Sequence, residues 1–215
     1  MMPRFRSVIL DVDSTLAGIE GIDWLGALRG PEVGRAVEQA TKRAMAGTVT
    51  LEAVYEERLA RIRPTRAELS TLGAVYVQAI ADGAVECVRA LHAADVRVVI
   101  VSGGLRDALL PLAAVLGIAT HDVHAVDVHY EASGAADSLE GEQLLATSGG
   151  KPKVVRSLAL PAPVLAVGDG MTDAEIRPEA SAFAAFTGFV RREAVVARAD
   201  HVVDSFAALT RLVLP

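Results

Sequence analysis

The sequence predicts an α/β fold: a parallel sheet flanked by helices, with a helical cap inserted after the first strand. Three observations lead there. Short β-rich runs alternate with helical stretches, polar clusters close the strands, and one long stretch near the N-terminus holds helices but no strand. Strands that alternate with helices join a parallel sheet through right-handed crossovers. The result is a Rossmann-like core, in which ligands bind beyond the carboxyl ends of the strands.

Taken in order, Ser7 to Asp13 reads as a buried strand ending in acid. Further strands are predicted at Val96–Val101, Val164–Val167, Ala182–Phe186 and His201–Val203, with helices over 83–94, 105–116, 152–159, 190–199 and 205–213. Residues 16–80 form the cap, with helical stretches at Pro31–Met45 and Leu51–Ile62, and residues 1–15 and 81–215 form the core. Trp24, Leu25 and Leu28 read as packing within the cap. Residues 121–147 read as a β-hairpin, from the alternation in Val126–Tyr130 and a turn at Gly134.

Apolar residues make up 52% of the 215 positions, enough for a large core. Twenty-one Lys and Arg against 27 Asp and Glu leave a net charge of −6, which argues against a nucleic-acid-binding protein. The region 29–66 is nonetheless locally basic, with Arg29, Arg35, Lys42, Arg43, Arg58, Arg61, Arg63 and Arg66 against five glutamates. No apolar run reaches the ~18 residues of a membrane span, and no signal-peptide segment is expected at the N-terminus. The single cysteine, Cys87, permits no internal disulfide and fits a reducing, cytoplasmic setting. Nothing in the sequence reports the oligomeric state.

Four clusters carry chemistry. Asp11-Val12-Asp13-Ser14-Thr15 ends the first strand, and alternation would turn both aspartates to one side. One carboxylate can attack phosphorus while its neighbour moves a proton. Ser102-Gly103-Gly104 closes another strand and opens a helix, where backbone N–H groups can approach an anion. In Gly149-Gly150-Lys151-Pro152-Lys153, Pro152 fits the first helical position, leaving Lys151 in the preceding loop. Gly168-Asp169-Gly170-Met171-Thr172-Asp173 presents two carboxylates around a tight turn, a donor set suited to Mg2+.

Together these motifs resemble the haloacid dehalogenase superfamily, and within it the phosphoserine phosphatase family, across essentially the whole chain. The resemblance implies a magnesium-dependent phosphatase that hydrolyses O-phosphoserine, the last step of serine biosynthesis, through an aspartyl phosphate. It assigns Asp11 as nucleophile, Asp13 as acid and base, Ser102 and Lys151 to the phosphate, and Asp169 and Asp173, with Asp11 and the Asp13 carbonyl, to the metal. Glu20 resembles the residue receiving the substrate ammonium, Arg58 the one holding its carboxylate, and Met45 an apolar neighbour of the substrate. Gly103, Gly104 and Thr172 complete the implied substrate contacts. Ala46 and Leu51 stand where relatives often have glycine and phenylalanine, so other small phosphomonoesters, such as phosphoethanolamine or sugar phosphates, remain the alternative. A phospho-accepting signalling module is a further alternative. Such a module has no use for a 65-residue cap or for a proton shuttle at Asp13. His121, His124 and His129 lack a zinc-ligand spacing and read as solvated.

Overall fold

A computed structural model describes residues 2–45 and 48–215, apart from the side chains of Met45 and Asp137. Strand β1 (Ser7–Leu10) is followed by helices α1 (Gly21–Ala27), α2 (Pro31–Met45), α3 (Leu51–Ile62) and α4 (Arg66–Gln78). Then come α5 (Ala84–Ala93), β2 (Arg97–Leu105), α6 (Arg106–Leu116), β3 (Val123–Val126), β4 (Val128–Tyr130), β5 (Ala136–Leu139) and α7 (Gly150–Leu158). The last third holds β6 (Val164–Gly168), α8 (Met171–Ala174), β7 (Ala182–Phe186), α9 (Glu193–Val196), β8 (His201–Val203) and α10 (Phe206–Val213). No helix among the described residues is long and apolar enough to cross a membrane.

Six strands pair in the order β3-β2-β1-β6-β7-β8, every pair parallel. β1 lies inside the sheet and all four of its residues are buried. Its Val8-Ile9-Leu10 run is apolar on both faces because helices cover both sides of such a sheet. The chain winds outward from β1 through β2 to β3, then returns to the other side of β1 as β6. That reversal opens a crevice beyond the carboxyl ends of β1, β2 and β6.

Four local expectations are corrected. The first strand stops at Leu10 rather than Asp13, because Ser14 adopts a left-handed φ of 53° and Thr15 and Ala17 donate back to the Val12 carbonyl. The hairpin expected over 121–147 is confined to β4 and β5, whereas Val123–Val126 joins the main sheet beside β2. Val123, Ala125 and Val126 are buried, so this segment takes a sheet position that alternation alone did not reveal. The helix expected over 190–199 contracts to the single turn Glu193–Val196. Finally, α7 begins at Gly150, so Lys151 sits on its first turn rather than in the loop. Gly149, at φ 67°, starts the helix early, and Pro152 falls third, where its missing N–H is still not needed.

The α1–α4 stretch is attached to the rest of the molecule on two sides, one of them through α4. Helix α4 crosses α6 closely: a Cβ on Gly73 would stand 2.8 Å from Pro111 Cγ. The corner before α4 is clipped to the hairpin, with Ala136 N donating to Pro64 O at 2.8 Å and Arg66 N to Gly134 O at 3.1 Å. The Arg66 guanidinium also lies 3.8 Å from the centre of the Tyr130 ring. A capping box between Thr65 and Glu68 starts α4 at this clip. By contrast, α3 reaches the opposite side through Leu51 N to Ser148 Oγ at 2.9 Å and Tyr55 Oη to Gly103 O at 2.9 Å.

Gly73→Ala is expected to destabilise the protein by about 1–3 kcal/mol, the usual cost of overpacking a close contact. Denaturant unfolding measures it. An unchanged midpoint would show that the α4–α6 crossing yields without cost.

Candidate active site

One cavity lies over the sheet crevice, bounded by Asp11, Asp13, Gly103, Gly104, Lys151 and Thr172 on one side. Glu20, Gly21, Thr41, Tyr55, Arg58 and Tyr76, from α1–α4 and the turn before α1, bound the other. Of the residues singled out in sequence, Ser102 is fully buried behind the two glycines, and its Oγ accepts from Gly104 N at 3.0 Å. The side chain of Met45 lies outside the described residues.

At the floor, Lys151 Nζ stands 2.9 Å from Asp11 Oδ1 and 2.6 Å from Asp173 Oδ1. Burial alone would lower the lysine pKa, but the two carboxylates outweigh it and raise the value. The lysine is therefore a fixed cation. Asp173 Oδ2 accepts from Gly170 N at 2.9 Å. Burial, and behind it the charge of Asp11, pushes the Asp173 pKa up to about 6.

Asp11, Asp169 and Asp173 offer oxygens within 4.8 Å of one another, and all three residues are buried. Neither Asp169 carboxylate oxygen receives a hydrogen bond, although the Arg192 guanidinium lies against Oδ2. A buried carboxylate whose Oδ1 has no partner, clustered with two more acids, fits a divalent cation. Asp13 turns its carboxylate elsewhere: Oδ1 accepts from Gly21 N at 2.8 Å and from Tyr76 Oη at 2.6 Å. Burial lifts its pKa to about 6, Asp11 adding to the rise and Tyr76 opposing it. No histidine joins a group of three or more potential metal ligands among the described residues; His121 and His129 are exposed, whereas His124, expected to be solvated, is half-buried with its Nε2 enclosed.

On the opposite wall, Glu20 Oε1 accepts from Ser14 Oγ at 2.7 Å. Burial, then the nearby Asp13 charge, pushes the Glu20 pKa up to about 8. Arg58 is 5% exposed; its Nη1 donates to Thr41 Oγ1 at 3.0 Å, and Thr41 in turn donates to Asp23 Oδ1 at 2.5 Å. Arg58 Nε is buried with no acceptor.

Sequence reasoning missed Tyr76, Arg192, Thr41 and Tyr55. Tyr76 shares the buried face of α4 with Leu69 and Leu72, a spacing that signals only core. Arg192 belongs to an Arg191–Arg192 pair that reads as solvated surface. No local pattern distinguishes either residue.

Asp13, Glu20 and Asp173 hold protons in the folded protein that the unfolded chain has already released. Stability of the metal-free protein therefore falls as pH rises from the ordinary carboxylate range through about 8. His124, its pKa lowered by burial from 6.5, acts in the opposite sense at acid pH, and three carboxylates outweigh it. In chelator, the melting temperature is expected to be lower at about pH 8 than at about pH 5.5, with the slope flattened by a divalent cation. Calorimetry showing a rise over that interval would contradict this reading.

The family of haloacid dehalogenase-like hydrolases matches residues 8–176. Phosphoserine phosphatase of Homo sapiens is 36% identical over 206 residues, covering 94% of this chain and 91% of that protein. The chloroplastic phosphoserine phosphatase of Arabidopsis thaliana is 33% identical, covering 95% of this chain and 70% of its own. A phosphoserine phosphohydrolase-like protein from Francisella tularensis superposes with a TM-score of 0.89 at 25% identity, covering 97% of this chain and all of that one. With relatives matching nearly end to end and the acid cluster at the sheet's switch point, the chain belongs to the phosphoserine phosphatase family of the haloacid dehalogenase-like hydrolases and is a phosphomonoester hydrolase.

Proposed function

We propose that this enzyme hydrolyses O-phosphoserine to serine and phosphate, with magnesium, through an aspartyl phosphate on Asp11. The observation that carries the substrate choice is the unfilled donor set of Arg58, whose buried Nε lacks an acceptor. A buried guanidinium with free donors suits a planar carboxylate. Glu20 shares the cavity with Arg58 and suits an ammonium, while Gly103, Gly104 and Lys151 suit a phosphate. Phosphoserine carries all three groups. The phosphoserine phosphatases of Homo sapiens and Arabidopsis thaliana support the same substrate.

Asp11, Asp169 and Asp173, with the Asp13 carbonyl, would hold the magnesium ion, which when bound supplies positive charge against the phosphoryl oxygens. In the first step an Asp11 oxygen bonds to phosphorus as the serine oxygen leaves, and Asp13 donates a proton to that oxygen. In the second, Asp13 takes a proton from water, whose oxygen bonds to phosphorus and releases Asp11. Lys151 keeps its charge throughout and offsets that of the transferred group. Residues 16–80 act as the cap, closing the cavity from bulk water over a core of 1–15 and 81–215.

Phosphate release from phosphoserine is expected to require magnesium. It is expected to exceed that from phosphoethanolamine, which lacks the carboxylate, by about 2–5 kcal/mol in kcat/KM. Arg58→Ala is expected to erase most of that difference. Equal rates of the wild type on both substrates would remove phosphoserine as the substrate.

A further inference from the structure

Proton transfer by Asp13 needs one of its two oxygens to carry the proton and face the leaving group. Rotation about the Cβ–Cγ bond is soft for an aspartate, so nothing in the side chain itself decides which oxygen that is. Here the choice is made by two neighbours. Oδ1 accepts from the Gly21 amide at 2.8 Å and from the Tyr76 hydroxyl at 2.6 Å, which occupies both lone pairs of that oxygen.

The two donors come from separate elements. Gly21 opens α1, and Tyr76 lies in the last turn of α4, 1% exposed. The Tyr76 hydroxyl is enclosed by the protein with the Asp13 carboxylate as its acceptor. The contact also needs glycine at position 21, since a Cβ there would stand 2.0 Å from Tyr76 Oη. Three residues before Tyr76, Gly73 seats α4 against Pro111, which fixes the height of the phenol over the cavity.

We propose that Tyr76 is a positioning residue for proton transfer: with the Gly21 amide it pins Oδ1 of Asp13, so that Oδ2 alone exchanges protons. In the first half-reaction the Oδ2 proton passes to the serine oxygen as its bond to phosphorus breaks and the Asp11–phosphorus bond forms. In the second, Oδ2 takes a proton from water as the water oxygen bonds to phosphorus and Asp11 is released. The inference rests on the reading of Asp13 as acid and base given above, and adds the residue that aims it.

The test uses the full-length protein with magnesium and two substrates that differ in their need for a proton. The serine alkoxide of phosphoserine leaves poorly without one, whereas the acetate of acetyl phosphate leaves unaided. For Tyr76→Phe, kcat/KM is expected to fall about tenfold or more on phosphoserine and less than about threefold on acetyl phosphate. Equal losses on both substrates, or no loss on phosphoserine, would overturn the proposal, because a merely structural role lowers both alike. Tyr76→Met, which fills similar space without a hydroxyl, supplies the same comparison if the phenylalanine variant folds poorly. Failure of the substrate assignment shows separately, as inactivity of the wild type on phosphoserine. An alkyl phosphate that the wild type does hydrolyse then takes its place, and the ratio of alkyl to acyl loss still decides.

Discussion

Crowding of negative charge governs this molecule. Asp11, Asp13 and Glu20 line one cavity, and Asp169 and Asp173 lie buried beside Asp11. Such a group is tolerable only with cations and donors built in. Lys151 bridges Asp11 and Asp173, Arg192 lies against Asp169, and two donors converge on Asp13. The glycines of the motifs serve this arrangement through space rather than flexibility. A Cβ on Gly168 would stand 2.1 Å from Asp173 Cγ, and one on Gly150 would stand 1.7 Å from Leu144 O. Without the first, Asp173 loses its seat; without the second, the turn that lifts Lys151 into the floor does not form.

The two walls of the cavity are coupled by side chains rather than by continuous sheet. Tyr55 donates to the Gly103 carbonyl while its ring lies 5.6 Å from the Arg58 guanidinium. The arginine therefore rests on a residue that touches Gly103 at the end of β2. Thr41 and Asp23 steady the same guanidinium from behind, a chain of one hydroxyl and one carboxylate. Because α4 is held firmly to α6 and the hairpin, the walls share a rigid side. The Ser148 contacts close the other side, accepting from Leu51 N in a half-buried bond and donating to the exposed Glu52. Of these, only the exposed Ser148–Glu52 contact is of the weak surface kind.

Most of the core architecture was legible because a buried parallel strand has to be apolar on both faces, and Val8-Ile9-Leu10 or Ala182–Phe186 cannot easily be anything else. The acids at the ends of β1 and β6 were legible because four polar clusters recur in order at predicted strand ends, which single capping acids would not explain. The misread pieces were short ones. Val123–Val126 was absorbed into a hairpin because four residues carry too little alternation to separate two strands. Pro152 misled about α7 because proline is acceptable anywhere in a first turn, so it marks a helix start only to within two residues.

By itself, then, the sequence determined the charged groups that meet at the cavity: Asp11, Asp13, Lys151, Asp169 and Asp173 stand in short motifs whose spacing is set by the strand and turn that hold them. What only the tertiary structure decided is who surrounds them. Tyr76 is 63 residues from Asp13 along the chain, and Arg192 is 23 from Asp169. Neither is distinguishable in sequence from a core aromatic or a surface arginine. Local chemistry follows from neighbours a few bonds away. Aiming a carboxylate or balancing a buried charge depends on neighbours in space, which packing alone supplies.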